Sequence, residues 1–199
     1  MRTILPLTYF GSLEWWGALL GGDAIIDVGE NYVKQSARNR AEILSASGVM
    51  PLTVNVVKGA SIHKKPMREM RIDYSKRWQH LHRTAIRSAY RNSPYYDYFA
   101  ERFEPLYCRR YDFLYDFDRD SLLAAADIMG VDRGLLRFSE EYLQADAEDV
   151  DLRGHDFLGR RSASKPYYQV FSDRMPFVDN LSVADLIFCE GRDALHSLL

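Results

Sequence analysis

The stretch TILPLTYFGSLEWWGALLGGDAIIDV, residues 3–28, decides the fold class. Its apolar spacing changes twice. Thr3–Thr8 reads as a first strand, with Pro6 pushing it toward a sheet edge or a strand end. Ser12 is placed to cap a helix over Leu13–Leu20, with Glu14 in its first turn. Leu13, Trp16, Gly17 and Leu20 fall at helical spacing, and Gly21-Gly22 closes the helix. Ala24–Val28 is a second apolar strand. Strand, helix and strand in under thirty residues predict a βαβ unit with a parallel pair.

Outward from this unit the pattern alternates again. Ala41–Leu44 and the β-branched run Leu52–Val57 flank Ser45-Ala46-Ser47-Gly48, which predicts a hairpin with a loose turn. Lys58–Pro66 reads as a polar loop containing His63, and Met67–Ile72 as a short strand. Asp73 or Ser75 can cap a helix over Lys76–Arg91, whose stripe is Trp78, Leu81, His82, Ala85, Ile86, Ala89 and Tyr90. Further helices are predicted over Tyr95–Tyr107, through Phe113, Leu114 and Phe117 into Ser121–Met129 before Gly130, and over Val183–Cys189 behind Ser182. A short one follows over Ala194–Leu199. Leu135–Phe138 is a candidate strand, and the acidic Gln144–Leu152 an exposed loop. The expected architecture is α/β: a mixed β-sheet with an N-terminal βαβ unit, a β-hairpin and flanking helices, as one domain over residues 1–199.

Composition is that of a globular chain, 47% hydrophobic and 27% charged in 199 residues. A formal net charge of −2 argues against a general nucleic-acid binder. Cys108 and Cys189 lack metal-ligand spacing and read as reduced, buried thiols. No apolar run approaches the roughly 20 residues of a membrane span, and Met1–Leu7 lacks the pattern of a signal peptide. The expected compartment is the cytoplasm. The sequence does not identify a cofactor, and no His, Cys or acidic cluster has zinc spacing.

Chemistry concentrates after the second strand. Tyr32, Lys34, Gln35, Ser36, Arg38, Asn39 and Arg40 supply cations, amides and hydroxyls in nine residues. Such donors suit phosphate, carboxylate or sugar hydroxyls, although a solvated edge strand has the same composition. On an extended arm Arg38 and Arg40 share a face and Asn39 opposes them. His82, on the apolar stripe, is either a satisfied core histidine or a general base facing a cleft. In the second reading it points toward Tyr32–Arg40, and the arginines there lower its pKa. Trp78 and Tyr90, on the same face, would line that cleft.

Taken in order, Tyr32–Arg40, Leu52–Val56, Trp78 with His82 and Tyr90, Tyr168-Gln169 and Asn180–Phe188 with Glu190-Gly191 resemble the WbqC-like family. The resemblance runs from near residue 5 to the C-terminus. It implies a bacterial protein of surface-polysaccharide (O-antigen-type) biosynthesis. The implied activity is transfer of an acyl or aminoacyl group onto an amino sugar that is nucleotide-activated or lipid-linked. In that reading Arg38 and Arg40 clamp phosphate, Lys34 or Asn39 orients the sugar or donor, and His82 is the base. The alternative is a non-catalytic module of cell-envelope assembly that binds an anion or a partner. Many members open with a Gln-Pro or His-Gln-Pro turn; here Leu5-Pro6-Leu7-Thr8-Tyr9-Phe10 stands in its place.

Overall fold

The computed structural model describes residues 1–59, 64–159 and 165–198. His63 and Leu199 lie outside them. The chain is mixed α/β. β1 (Thr3–Pro6), α1 (Leu13–Leu20) and β2 (Ala24–Asp27) form the βαβ unit, with Thr3 opposite Ala24 and Pro6 opposite Asp27 in parallel register. Pro6 ends β1, two residues earlier than predicted. A proline has no N–H to continue a ladder.

The turn that follows is held by aromatic donors. The indole Nε1–H of Trp15 donates to the Pro6 carbonyl (2.9 Å), and that of Trp16 to the Phe10 carbonyl (2.8 Å). Gly11 has φ +69°, and a Cβ there would come within 3 Å of both indoles, so the turn requires glycine. Ser12 caps α1 as expected, its hydroxyl accepting from the Trp15 N–H at 3.4 Å.

The third strand of the parallel sheet was not foreseen. β5 (Val150–Asp151) pairs with the other edge of β1, giving the order β2-β1-β5. Its two residues are exposed and lie in the acidic stretch read as a loop. Backbone bonds from Val150 N–H to Arg2 and from Leu152 N–H to Ile4 define it, not side-chain pattern. A short, charged edge strand discourages further pairing. Gly29, beyond β2, packs on backbone: a Cβ would lie 2.1 Å from the Tyr142 nitrogen.

The antiparallel hairpin is a separate, two-stranded sheet of β3 (Arg40–Ser45) and β4 (Gly48–Thr53), with Arg40 opposite Thr53 and Ser45 opposite Gly48. The second strand was expected at Leu52–Val57. The ladder instead starts at Gly48 and runs through Pro51, which an outer strand tolerates. Past Thr53 the chain changes partner. Val54 still exchanges bonds with Asn39. Val57 N–H then donates to Arg71, and Asp73 N–H to Asn55. Met67–Glu69 is a turn of 3-10 helix, not a strand.

Helices α2 (Trp78–Tyr90), α3 (Tyr96–Cys108) and α4 (Leu114–Met129) pack in succession, and α5 (Val183–Glu190) is buried along nearly its whole length. α2 begins two residues later than predicted, because Asp73 accepts from Ser75 rather than from the helix. Pro105 lies in the last turn of α3 without breaking it, and Gly130 ends α4 with φ +73°. α6 (Ala194–Leu198) closes the described chain. The core is dense in rings: Tyr9, Phe10, Trp15, Trp16, Trp78, Phe103, Phe117 and Phe188 are all buried. No helix among the described residues is long and apolar enough to cross a membrane.

Candidate functional site

The partner change after Thr53 leaves a cleft. Its walls are the segment before β3, the end of β4 and the approach to α2, and its volume is about 720 Å³. Tyr32, Lys34, Asn39 and Arg40 line one side; Thr53–Lys58 line the floor; Asp73, Ser75 and Lys76 line the other side. Among the described residues four cations, Lys34, Arg40, Lys58 and Lys76, therefore face one space with a single carboxylate, Asp73. None of the four makes a salt bridge among the described residues. Asp73 is held below its ordinary pKa, chiefly by the Ser75 N–H and hydroxyl and then by Lys58 and Lys76.

A second pocket of about 500 Å³ adjoins the first, and Thr53 and Asn55 belong to both. Its walls are mostly apolar: Met50, Pro51 and Leu52 from β4, and Trp78, Leu81 and Ala85 from α2, with His80 and His82 beside them.

The structure sorts the sequence candidates. Tyr32 is buried beside the cleft, and burial pushes its phenol up to about 12, with Asp118 adding to the shift and Arg40 opposing it. It is a hydrogen-bond donor at neutral pH. Asn39 is buried with its amide Nδ2 donating to the Val54 carbonyl, while its Oδ1 has no partner among the described residues. Arg40 is half-buried, and its Nε likewise has none. Lys34 is exposed at the rim.

Arg38 does not share this space. It precedes β3, so the expected common face with Arg40 does not form. Its Nε and Nη2 donate to the two carboxylate oxygens of Glu30 at 2.9 and 2.5 Å, and Nη2 also reaches the Arg153 carbonyl. Both partners are buried. Burial pushes Glu30 up to about 7 even against Arg38. Tyr90 is also elsewhere. Fully buried, it donates to Asp185 at 2.6 Å and accepts from the Leu44 N–H at 3.1 Å, tying α2 to the hairpin and α5.

His82 lies between aromatic rings rather than at an open mouth. It stacks on Tyr9 (5.8 Å between centroids) and meets Trp78 edge-on (5.2 Å). Its Nε2 is 3.2 Å from the Thr53 carbonyl and its Nδ1 3.4 Å from the Tyr9 hydroxyl. Its pKa is lowered to about 4, by burial and not by arginines. Trp78 is buried in the wall of the apolar pocket, its Nε1 without a partner among the described residues.

Lys58, Lys76, Asp73, Asn55 and Leu81 were missed as site residues. Each had an ordinary local reading, as loop, helix start, cap, strand or apolar stripe; the long-range pairing of Val56 with Ile72 brings the first four together. No group of three or more potential metal ligands exists among the described residues. Cys108, expected to be buried, is exposed and donates to Glu104; Cys189 is buried. The arrangement can hold a multiply charged anion beside an apolar group.

The model of the WbqC-like protein family matches residues 23–161. That span covers β2, the hairpin, both pockets and α2 to α4. No similar protein was found among curated sequences, and none among solved structures.

Proposed function

Because the chain belongs to the WbqC-like family, we propose that it binds a phosphate-bearing sugar, nucleotide-activated or lipid-linked, in bacterial surface-polysaccharide biosynthesis. The observation that carries this reading is the set of four cations, Lys34, Arg40, Lys58 and Lys76, around one cleft with no salt-bridge partners among the described residues. Unpaired cations converging on one space repel one another, and a polyanion relieves that repulsion. A lysine is a point charge and an arginine a planar fork, so the set offers both modes of phosphate contact. Asn39 and the Tyr32 hydroxyl are next to the cations and orient the sugar.

The reaction we assign to the bound sugar is transfer of an acyl or aminoacyl group from an activated donor onto its amine, with His82 holding the Thr53 strand end in place. A specific observation favours a second reading, the non-catalytic anion-binding module: the acceptor nitrogen of His82 faces Tyr9 and not the cleft.

Titration calorimetry with inorganic pyrophosphate and with a UDP-linked amino sugar tests the binding. The expected result is saturable binding that a Lys34→Ala, Arg40→Ala, Lys58→Ala variant loses by at least about 100-fold, since each hydrogen bond to a charged group contributes about 1.5–3 kcal/mol. Unaltered affinity in a folded triple variant overturns the site. Mass spectrometry of the sugar after incubation with acyl thioester or aminoacyl donors separates the readings. A mass gain establishes transfer, and binding without any gain selects the module.

A further inference from the structure

The apolar pocket beside the cationic cleft has no role in holding phosphate. Its wall residues are aliphatic on the β4 side, Met50, Pro51 and Leu52, and the α2 side adds Leu81. Leu81 is 60% exposed, although it stands on the helix that supplies Trp78 and His82 to the core. Two backbone carbonyls on the shared wall are engaged. The Thr53 carbonyl accepts from His82, and the Asn55 carbonyl accepts from the Asp73 N–H.

We propose that this pocket seats the first part of the hydrocarbon chain of a lipid diphosphate, so that the sugar-bearing ligand of the cleft is lipid-linked and not nucleotide-linked. The inference rests on the anion-binding reading above and chooses between its two ligand sources. A nucleobase presents donors and acceptors on its edge, and burying them without partners is costly. The polar lining, His80, Thr84 and the Trp78 indole, stands on the α2 side; the β4 side is aliphatic and the Thr53 and Asn55 carbonyls are already bonded, so a base lying there finds few partners. A hydrocarbon chain needs none, and it gains by covering Leu81 and the β4 aliphatics. Thr53 and Asn55, which line both spaces, set charge and chain side by side, as one amphiphilic molecule requires.

The test uses the full chain and four probes: inorganic pyrophosphate, UDP, farnesol and farnesyl diphosphate, each below any micellar concentration, followed by tryptophan fluorescence and calorimetry. Farnesyl diphosphate should bind at least about 100-fold more tightly than pyrophosphate, because several methylene-sized groups leave water. Leu81→Asn and, separately, Pro51→Asn should remove most of that gain while leaving pyrophosphate affinity within about two-fold. Both positions are exposed, so neither change threatens the fold. Pyrophosphate binding with no gain from the chain, or UDP binding more tightly than farnesyl diphosphate, overturns the inference and leaves the anion site standing. If pyrophosphate fails to bind while farnesol quenches the tryptophans, the anion reading falls instead.

Discussion

The Nε2 of His82 lies 3.2 Å from the carbonyl oxygen of Thr53. A carbonyl only accepts, so Nε2 carries the proton and the ring is the neutral tautomer with its lone pair on Nδ1. That lone pair faces the Tyr9 hydroxyl. Thr53 is opposite Arg40 in the hairpin and is a wall of both pockets. His82 thus fixes the strand end that carries the site, whatever chemistry follows. Burial lowers its pKa from 6.5 to about 4. The unfolded chain therefore binds a proton that the folded one refuses between those values, and stability is lost as pH falls from about 6.5 to about 4. The loss amounts to about 3 kcal/mol in all, about 2 of it by pH 5. His82→Gln keeps a donor for Thr53 without titrating. Urea unfolding at pH 7 and pH 5 should show a smaller acid loss in the variant; an identical loss would remove His82 as its source.

Two arginines two residues apart should behave in opposite ways. Arg38→Ala leaves the Glu30 carboxylate buried without its partner, at a cost of about 3–5 kcal/mol. Arg40 makes no salt bridge among the described residues, so Arg40→Ala should change stability by less than about 1 kcal/mol. Its effect should fall on anion affinity. Thermal melts and pyrophosphate titrations of both single variants check this. A stable Arg38→Ala protein with lost binding would return Arg38 to the cleft.

The difference between these arginines marks where the sequence stops being legible. The βαβ unit, the Ser12 cap and the αL glycine after α4 depend on neighbours a few residues away, and the chain pattern states them. Arg38 is turned inward by Glu30, eight residues upstream, and by the Arg153 carbonyl, 115 residues downstream. No local pattern distinguishes that outcome from the cleft-facing one of Arg40. The same holds for Lys58 and Lys76, which meet because Val56 pairs with Ile72. β5 has no local sequence signal because its two exposed residues carry no alternation; backbone bonds to β1 and the neighbouring Arg2–Asp149 ion pair hold it. Tyr90 shares a helix stripe with His82, yet two turns carry it past the hairpin to Asp185.

Tyr90→Phe should report on stability and not on ligand. Removing the hydroxyl leaves the Leu44 N–H without its acceptor, and takes one of three donors from the buried Asp185, whose others are Tyr167 and Gln169. A loss of about 1–3 kcal/mol is expected. Pyrophosphate affinity should stay within two-fold. A large affinity change at unchanged stability would place Tyr90 at the ligand after all.

Asp118 sets the opposite pH trend to His82. It is fully buried on α4, and both its carboxylate oxygens lack partners among the described residues. Burial raises its pKa well above 3.8, and its field in turn raises those of Tyr9 and Tyr32. The folded carboxyl therefore keeps a proton that the unfolded chain releases near pH 4. Above that pH the folded state binds more protons than the unfolded one, so stability falls as pH rises. Asparagine has nearly the same shape and cannot ionise. Asp118→Asn should be more stable than the native chain at pH 7, because the variant has no proton to retain against the solvent. The advantage should shrink steadily as the pH is lowered toward 4, where the unfolded carboxyl also begins to hold its proton. Chemical unfolding of both proteins at several pH values between 4 and 8 measures it. A variant less stable at pH 7, with an unchanged slope, would mean that Asp118 is ionised in the fold and held there by a cation or a donor.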